Sequence, residues 1–287
     1  MLVKICEPIG FCAGVELAMK KALDLAKSGK KVAVLGMLVH NQDAINELSN
    51  NGVITIYSKD KNIYDLISEI PQGYTVVLTA HGHELRIETK LKELGFDFID
   101  ATCPKVLLAE SKIKYALKLN HEIIFIGKKN HPEANAMLSI SNKIHLFELN
   151  GVFDYSNITD PNPIVISQTT FSKDEISKTV GLIKENIPNV QIIDNVCNAS
   201  LLRQNAIKDI PNDADAIFVV GGSNSNNTKT LYSLAVSTHQ NSKVFLIENK
   251  DQVNKKDLLG LNCAYIVSGA STPKNIIIEL KQFLETI

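Results

Sequence analysis

Short apolar runs rich in β-branched residues alternate along the chain with longer stretches of helical spacing. The apolar runs include VKI near the start, KVAVLG (31–36), TVVLTA (75–80), DFID (97–100), EIIFIG (122–127), PIVISQ (163–168), QIID (191–194), AIFVVG (216–221), KVFLI (243–247) and AYIVSG (264–269). Each has strand length. Amphipathic periods follow many of them, among them 15–29 and 104–120, and the second opens on Pro104, a favoured first helical position. Near-continuous apolar strands alternating with helices predict an α/β fold whose parallel sheets are covered on both faces.

The alternation also has a phase. Three strand–Cys–helix junctions recur: VKICEPIGFCAGVELAMKKAL, FDFIDATCPKVLLAESKIKYAL and QIIDNVCNASLLRQNAIKDI. Their cysteines, Cys12, Cys103 and Cys197, lie 91 and 94 residues apart. A polar turn follows 28 residues past each one, at His40, His131 and Ser225. A further strand end, 69, 66 and 74 residues past its cysteine, carries His81, Thr169 and Ser271. All α/β proteins alternate, but alternation alone does not put three of five cysteines and their polar turns in one phase. A length of 287 residues by itself suggests two domains. The phase changes that to three pseudo-symmetric α/β units, each a parallel-sheet core flanked by helices. Their expected spans are 13–100, 101–194 and 195–287, the last completed by the N-terminal strand within 1–12.

Ligands of open α/β sheets bind beyond the carboxyl ends of the strands, where all these turns lie. Three units about a pseudo-threefold axis would bring three cysteines to one point, and converging soft thiolates hold a metal. Each of the three directly precedes a helical stretch, a position that favours a thiolate. Three ligands leave one coordination position open, whereas structural zinc is closed by four. An iron–sulfur cluster normally takes four cysteines, and one held by three would keep an iron free for substrate. At this level zinc and a cluster both remain open. Cys6, read inside the first strand, and Cys263, at the start of a late one, lack this context and are expected to be buried core.

The His, Ser, Thr and Asn side chains of the turns, followed by helix starts, offer donors to a phosphate. No phosphate-loop consensus and no GxGxxG occurs, so a nucleotide cofactor is not supported. GGSNSNN (221–227) alone would be an ordinary turn, and its phase with Cys197 is what marks it. Glu133 follows His131-Pro132 at a helix start. An acid there complements the helix dipole. Beside a metal-bound substrate it would also serve as a proton donor.

Composition narrows the classes. The chain is 45% hydrophobic and 21% charged, which excludes disorder as its main state. Thirty basic residues against 31 acidic ones give a net charge of −1, which argues against a nucleic-acid binder working by bulk charge. No apolar run approaches the roughly 18 residues of a membrane span, and MLVKICEPIGFCAGVE lacks a signal or transit pattern. A cytoplasmic protein with reduced cysteines is expected.

With these residues in place the chain resembles the 4-hydroxy-3-methylbut-2-enyl diphosphate reductase (IspH/LytB) family over essentially its whole length. GFCAGV (10–15), VHN (39–41), AHG (80–82), DATCP (100–104), HPE (131–133), SQTT (167–170), a VC turn before a distant RQ (196–204), SNN (225–227) and GASTP (269–273) stand in the family's order. The resemblance implies an enzyme of the last step of the non-mevalonate isoprenoid pathway, with three α/β units around a central 4Fe-4S cluster. Cys12, Cys103 and Cys197 would hold that cluster, and its open iron would take the substrate's hydroxyl. His40, His81, His131, Ser225, Asn227 and Ser271 would grip the diphosphate, with Thr170 and Asn226 beside them. Thr169 would bond near the hydroxyl and assist proton delivery with Glu133. Two electrons would arrive singly from a ferredoxin- or flavodoxin-type donor. The hydroxyl would leave as water, and protonation at either of two carbons would give isopentenyl or dimethylallyl diphosphate. No nucleic acid or membrane partner is implied. Departures from the family pattern are Ser200 where Thr is frequent, Asn226 where Ser is common, and Ile9 in place of a polar residue. The competing readings are a zinc-dependent hydrolase or lyase using the same cysteines, a non-enzymatic iron–sulfur sensor or carrier, and a Cys nucleophile paired with His.

Overall fold

The computed structural model describes every residue except His40 and Asn150. His40, one of the expected diphosphate contacts, therefore lies outside the described residues. Chain contacts divide the molecule into two units. One holds Met1–Glu16, Val39–Glu47 and Asn198–Ile287, and the other holds Leu17–Leu38 and Leu48–Cys197.

The chain opens with β1 (Leu2–Ile5) and α1 (Ala13–Lys27). Next come β2 (Val32–Leu35), α2 (Gln42–Asn50), β3 (Val53–Ile56), α3 (Ile63–Ile67), β4 (Thr75–Leu78), α4 (Leu85–Glu93) and β5 (Phe98–Asp100). After α5 (Pro104–Lys118) follow β6 (Ile123–Ile126), α6 (Pro132–Leu138), β7 (Ile144–Phe147), β8 (Ile164–Ser167), α7 (Lys173–Asn186) and β9 (Gln191–Ile193). After α8 (Asn198–Lys208) come β10 (Ala216–Val220), α9 (Asn226–Thr238), β11 (Lys243–Ile247), β12 (Cys263–Ser268) and α10 (Lys274–Glu285).

Among the described residues these strands form three four-stranded sheets, ordered β3-β2-β4-β5, β7-β6-β8-β9 and β11-β10-β12-β1. All pairs are parallel, and the order is the same each time. The fold is thus three α/β units with parallel sheets and flanking helices. The N-terminal strand β1 pairs with β12, in register Val3↔Ala264.

The central strands β2, β4, β6, β8 and β10 are buried at every position, because helices cover both of their faces. In the third sheet Phe218 faces Ile276, Ile277 and Leu280 of α10. Its neighbours Ile217 and Val219 face Ile207 of α8 and Leu231 of α9. Two-sided burial is why these strands read as unbroken apolar runs rather than alternating ones. The strands VITI (β3) and IHLF (β7) add to the runs read from sequence. Both lie at sheet edges and are only partly buried, so polar residues interrupt them.

Local signals set the helix ends. Pro104 takes the first turn of α5, and Asn120 leaves it in a left-handed conformation (φ 67°). Ser172 and Glu175 close α7 with a reciprocal capping box. Cys6 and Cys263 correct the expectation of fully buried core. Both are half-buried, and Cys6 falls just past β1. Burial still pushes the Cys6 thiol up to about 11, so it is an inert thiol.

Candidate functional site

Cys12 and Cys197 each stand one residue ahead of a helix, α1 and α8, and Cys103 is the residue that caps α5. All three are half-buried, and none forms a disulfide. Their backbone amides make the same bond three times. Cys12 donates to the Ala270 carbonyl at 2.8 Å, Cys103 to Ala80 at 3.0 Å and Cys197 to Thr169 at 2.9 Å. The sheets cause this. The edge strand leading to each cysteine (β1, β5, β9) is paired with the strand ending in that turn (β12, β4, β8). The next residue after two of those carbonyls is Ser271 or His81, and the third carbonyl belongs to Thr169 itself. The cysteine phase and the turn phase read from the sequence therefore meet at one hydrogen bond per sheet. Among the described residues no three His, Cys, Asp or Glu side chains form a metal-binding group.

Glu133 and Thr169 are brought together. Glu133 is 2% exposed and Thr169 is 5% exposed. The Thr169 amide donates to one carboxylate oxygen of Glu133 at 2.9 Å, and its hydroxyl donates to the other at 2.9 Å. Burial pushes the Glu133 carboxyl up to about 7, against the opposing pull of those two Thr169 bonds. A carboxyl in that range can hold or release a proton near neutrality, as a general acid requires. Its position comes from the sequence: His131 caps α6, Pro132 takes the first turn, and the Glu133 amide donates to His131 Nδ1 at 3.1 Å. That bond makes Nδ1 an acceptor, so the neutral His131 ring carries its proton on Nε2. The His81 and His131 rings meet edge to face with centroids 5.8 Å apart.

The remaining turn residues divide by use. Ser225 caps α9, accepting from the Thr228 amide at 3.3 Å. Asn227 accepts from the Ala270 amide at 2.9 Å and donates to Ser200 at 3.1 Å, so part of its amide is spent on joining the turns after β10 and β12. The hydroxyl kept at Ser200, on α8, accepts the second of these bonds. Asn226 and Thr170 are half-buried. Ser271 is 8% exposed, and its hydroxyl has no hydrogen-bond partner among the described residues. A buried polar atom in that condition suits an incoming acceptor.

Sequence reasoning missed two residues. Gln168, 0% exposed, accepts from the Lys128 amide at 3.2 Å and donates to Thr170 at 3.2 Å, fixing one turn to the next. Asn41 caps α2 through the Ala44 amide at 3.0 Å, while its buried Nδ2 is unsatisfied among the described residues. The available signal was a lone amide closing an otherwise apolar strand (PIVISQ) and another after VH.

Comparison with known proteins gives a consistent result. The family model described as LytB protein matches residues 3–285. A 4-hydroxy-3-methylbut-2-enyl diphosphate reductase of Lysinibacillus sphaericus is 31% identical over 99% of this chain and 88% of its own. One from Fusobacterium nucleatum is 32% identical over 96% of this chain, which spans about a third (33%) of that longer protein. The solved E-1-hydroxy-2-methyl-but-2-enyl-4-diphosphate reductase of Plasmodium falciparum superposes with a TM-score of 0.86 at 27% identity, covering 99% of this chain and 87% of that one.

Proposed function

The chain belongs to the LytB protein family, and from that premise we propose that it is a 4-hydroxy-3-methylbut-2-enyl diphosphate reductase. It is an oxidoreductase of the last step of the non-mevalonate route, removing the substrate's hydroxyl reductively to give isopentenyl and dimethylallyl diphosphate. The family's chemistry is that of an iron–sulfur enzyme. The donor set fits such a group, with three half-buried cysteines outside any disulfide at helix starts, each tied by its amide to a polar turn. We assign Cys12, Cys103 and Cys197 as ligands of a 4Fe-4S cluster with one iron open to substrate. When bound, that cluster supplies one-electron transfer and a Lewis acid. The electrons come from a ferredoxin- or flavodoxin-type carrier.

The thrice-repeated join between a cysteine amide and a polar turn carries this reading, because it links every proposed ligand to a proposed substrate contact. His40, His81, His131, Thr170, Ser225, Asn226, Asn227 and Ser271 supply donors to the diphosphate. Gripping that tail orients the hydroxyl at the far end of the substrate. Protonated Glu133 passes its proton to the Thr169 oxygen as the Thr169 hydroxyl gives its own to the departing oxygen. The 2.9 Å contact between the two side chains allows that relay once the protonated carboxyl, rather than the Thr169 hydroxyl, is the donor.

The test is iron and acid-labile sulfide per chain after strictly anaerobic purification. About four of each are expected, lost on Cys103→Ser, together with turnover from a one-electron donor. Zinc without sulfide would overturn the cluster and leave a zinc-dependent hydrolase or lyase as the reading.

A further inference from the structure

Each cysteine loop is also held by a cation on the helix that follows a different cysteine. Lys21, on α1 behind Cys12, donates through Nζ to the Asp100 carbonyl at 2.8 Å, three residues before Cys103. Lys112, on α5 behind Cys103, donates to the Asp194 carbonyl at 3.2 Å, three residues before Cys197. Arg203, on α8 behind Cys197, donates through Nη2 to the Gly10 carbonyl at 2.7 Å, two residues before Cys12. The connections run in a cycle: each helix latches another cysteine's loop, and none latches its own.

The chemistry at each end is specific. Lys21 and Lys112 both stand nine residues past their cysteine. Asp100 and Asp194 turn their carboxylates onto the amides of Thr102 (2.7 Å) and Val196 (3.2 Å), the residues just before the cysteines. The third loop has Ile9 in place of that aspartate, and its amide goes instead to Glu7 at 3.0 Å. On α8 the ninth position is Ala206, and Arg203 takes over three residues earlier. Arg203 is 2% exposed, and it also donates to the Ser268 carbonyl at 3.0 Å and the Ala199 carbonyl at 3.0 Å. One planar guanidinium thereby ties the Cys12 loop to the end of β12 and to α8. A lysine in its place would offer its three donors from a single nitrogen rather than from a planar fork of three.

We propose that Lys21, Lys112 and Arg203 are positioning residues, each fixing one cysteine loop, so that the three thiols are pre-set for the group they hold. This rests on the three-cysteine reading above. It adds residues that act through the loop carbonyls. Charge-assisted bonds from a cation to a carbonyl are among the stronger hydrogen bonds, and fixed ligands hold a metal group more tightly than mobile ones.

The test uses the full-length holoenzyme, challenged with a ferrous-iron chelator and iodoacetamide under anaerobic conditions. Alkylation is read cysteine by cysteine by mass spectrometry. Lys21→Met should raise the rate at Cys103 alone, and Lys112→Met the rate at Cys197 alone, each about fivefold, the worth of one net hydrogen bond. Lys21→Arg and Lys112→Arg should restore the wild-type rates. The electron paramagnetic resonance line shape of the reduced protein should change in the methionine variants and return in the arginine ones. Arg203→Lys should act at Cys12, and the two half-buried lysines keep the test decisive if that buried change disturbs folding. An equal rise at all three cysteines, or no rise, would overturn the latches. Absence of iron and sulfide from the wild type would instead remove the cluster reading, and the pattern of alkylation would still decide the latches.

Discussion

Glu133 is a buried carboxyl held by two hydrogen bonds from Thr169. Burial raises its carboxyl to about 7, from an ordinary value of 4.5. The native chain therefore binds one more proton than the unfolded chain between those values. The contribution of Glu133 to stability must fall as pH rises through that window and level off above it. The size is on the order of 3 kcal/mol. In metal-free protein, Glu133→Gln should remove this slope between about pH 4.5 and 7. A side-chain amide has one accepting atom where the carboxylate offers Thr169 two, so the comparison is of slopes, not of absolute stability. Urea unfolding of both proteins at pH 5 and pH 7.5 measures it, and parallel slopes would refute the shift. In the loaded enzyme the same variant should keep its iron and its substrate affinity but lose turnover, by the 10²–10⁴-fold typical of removing a general acid. Unimpaired reduction would take Glu133 out of the proton path.

Among the elements, the turn after β4 shows how tightly the site is built into the fold. Gly82 follows His81 with φ +87°, a left-handed backbone. A Cβ there would lie 3.2 Å from Val106 on α5 and 3.3 Å from Ala136 on α6. Gly82→Ala should thus cost about 1–2 kcal/mol from the backbone alone, with overpacking added, and it should disturb His81 next door. The expected result is a lower urea midpoint at unchanged m-value, with a raised KM for substrate. An unchanged midpoint would mean that the turn relaxes freely. Such detail was not legible in the sequence, where AHGH shows only that a turn exists. The two-face-buried strands and the helices behind Cys12 and Cys103 were legible, because continuous apolar runs and Pro104 state them directly. Edge strands β3 and β7 were not. Their partial burial admits Thr55 and His145 and breaks the pattern.

For the whole molecule, the sequence showed a period and the structure shows its mechanical meaning. The cysteine spacing of 91 and 94 residues becomes three sheets of identical strand order. What periodicity could not show is how each cysteine is held, since amide-to-carbonyl bonds leave no mark on residue type. Glu133 and Thr169 could be picked out singly. Their pairing depended on strand ends 36 residues apart in sequence. A group ligated from three separate strand–helix junctions would bind the native chain and not the unfolded one, so it must stabilise the fold by mass action. Effective binding at 100 times the dissociation constant already contributes about 2.7 kcal/mol. Anaerobic calorimetry of holoenzyme before and after chelation should therefore show a lower Tm once iron is removed. Cys103→Ser, which cannot complete the site, should melt at one temperature regardless of chelator. Equal melting of loaded and stripped wild type would mean that the cysteines do not share one group. A fall of equal size in Cys103→Ser would mean that the chelator acts elsewhere on the chain.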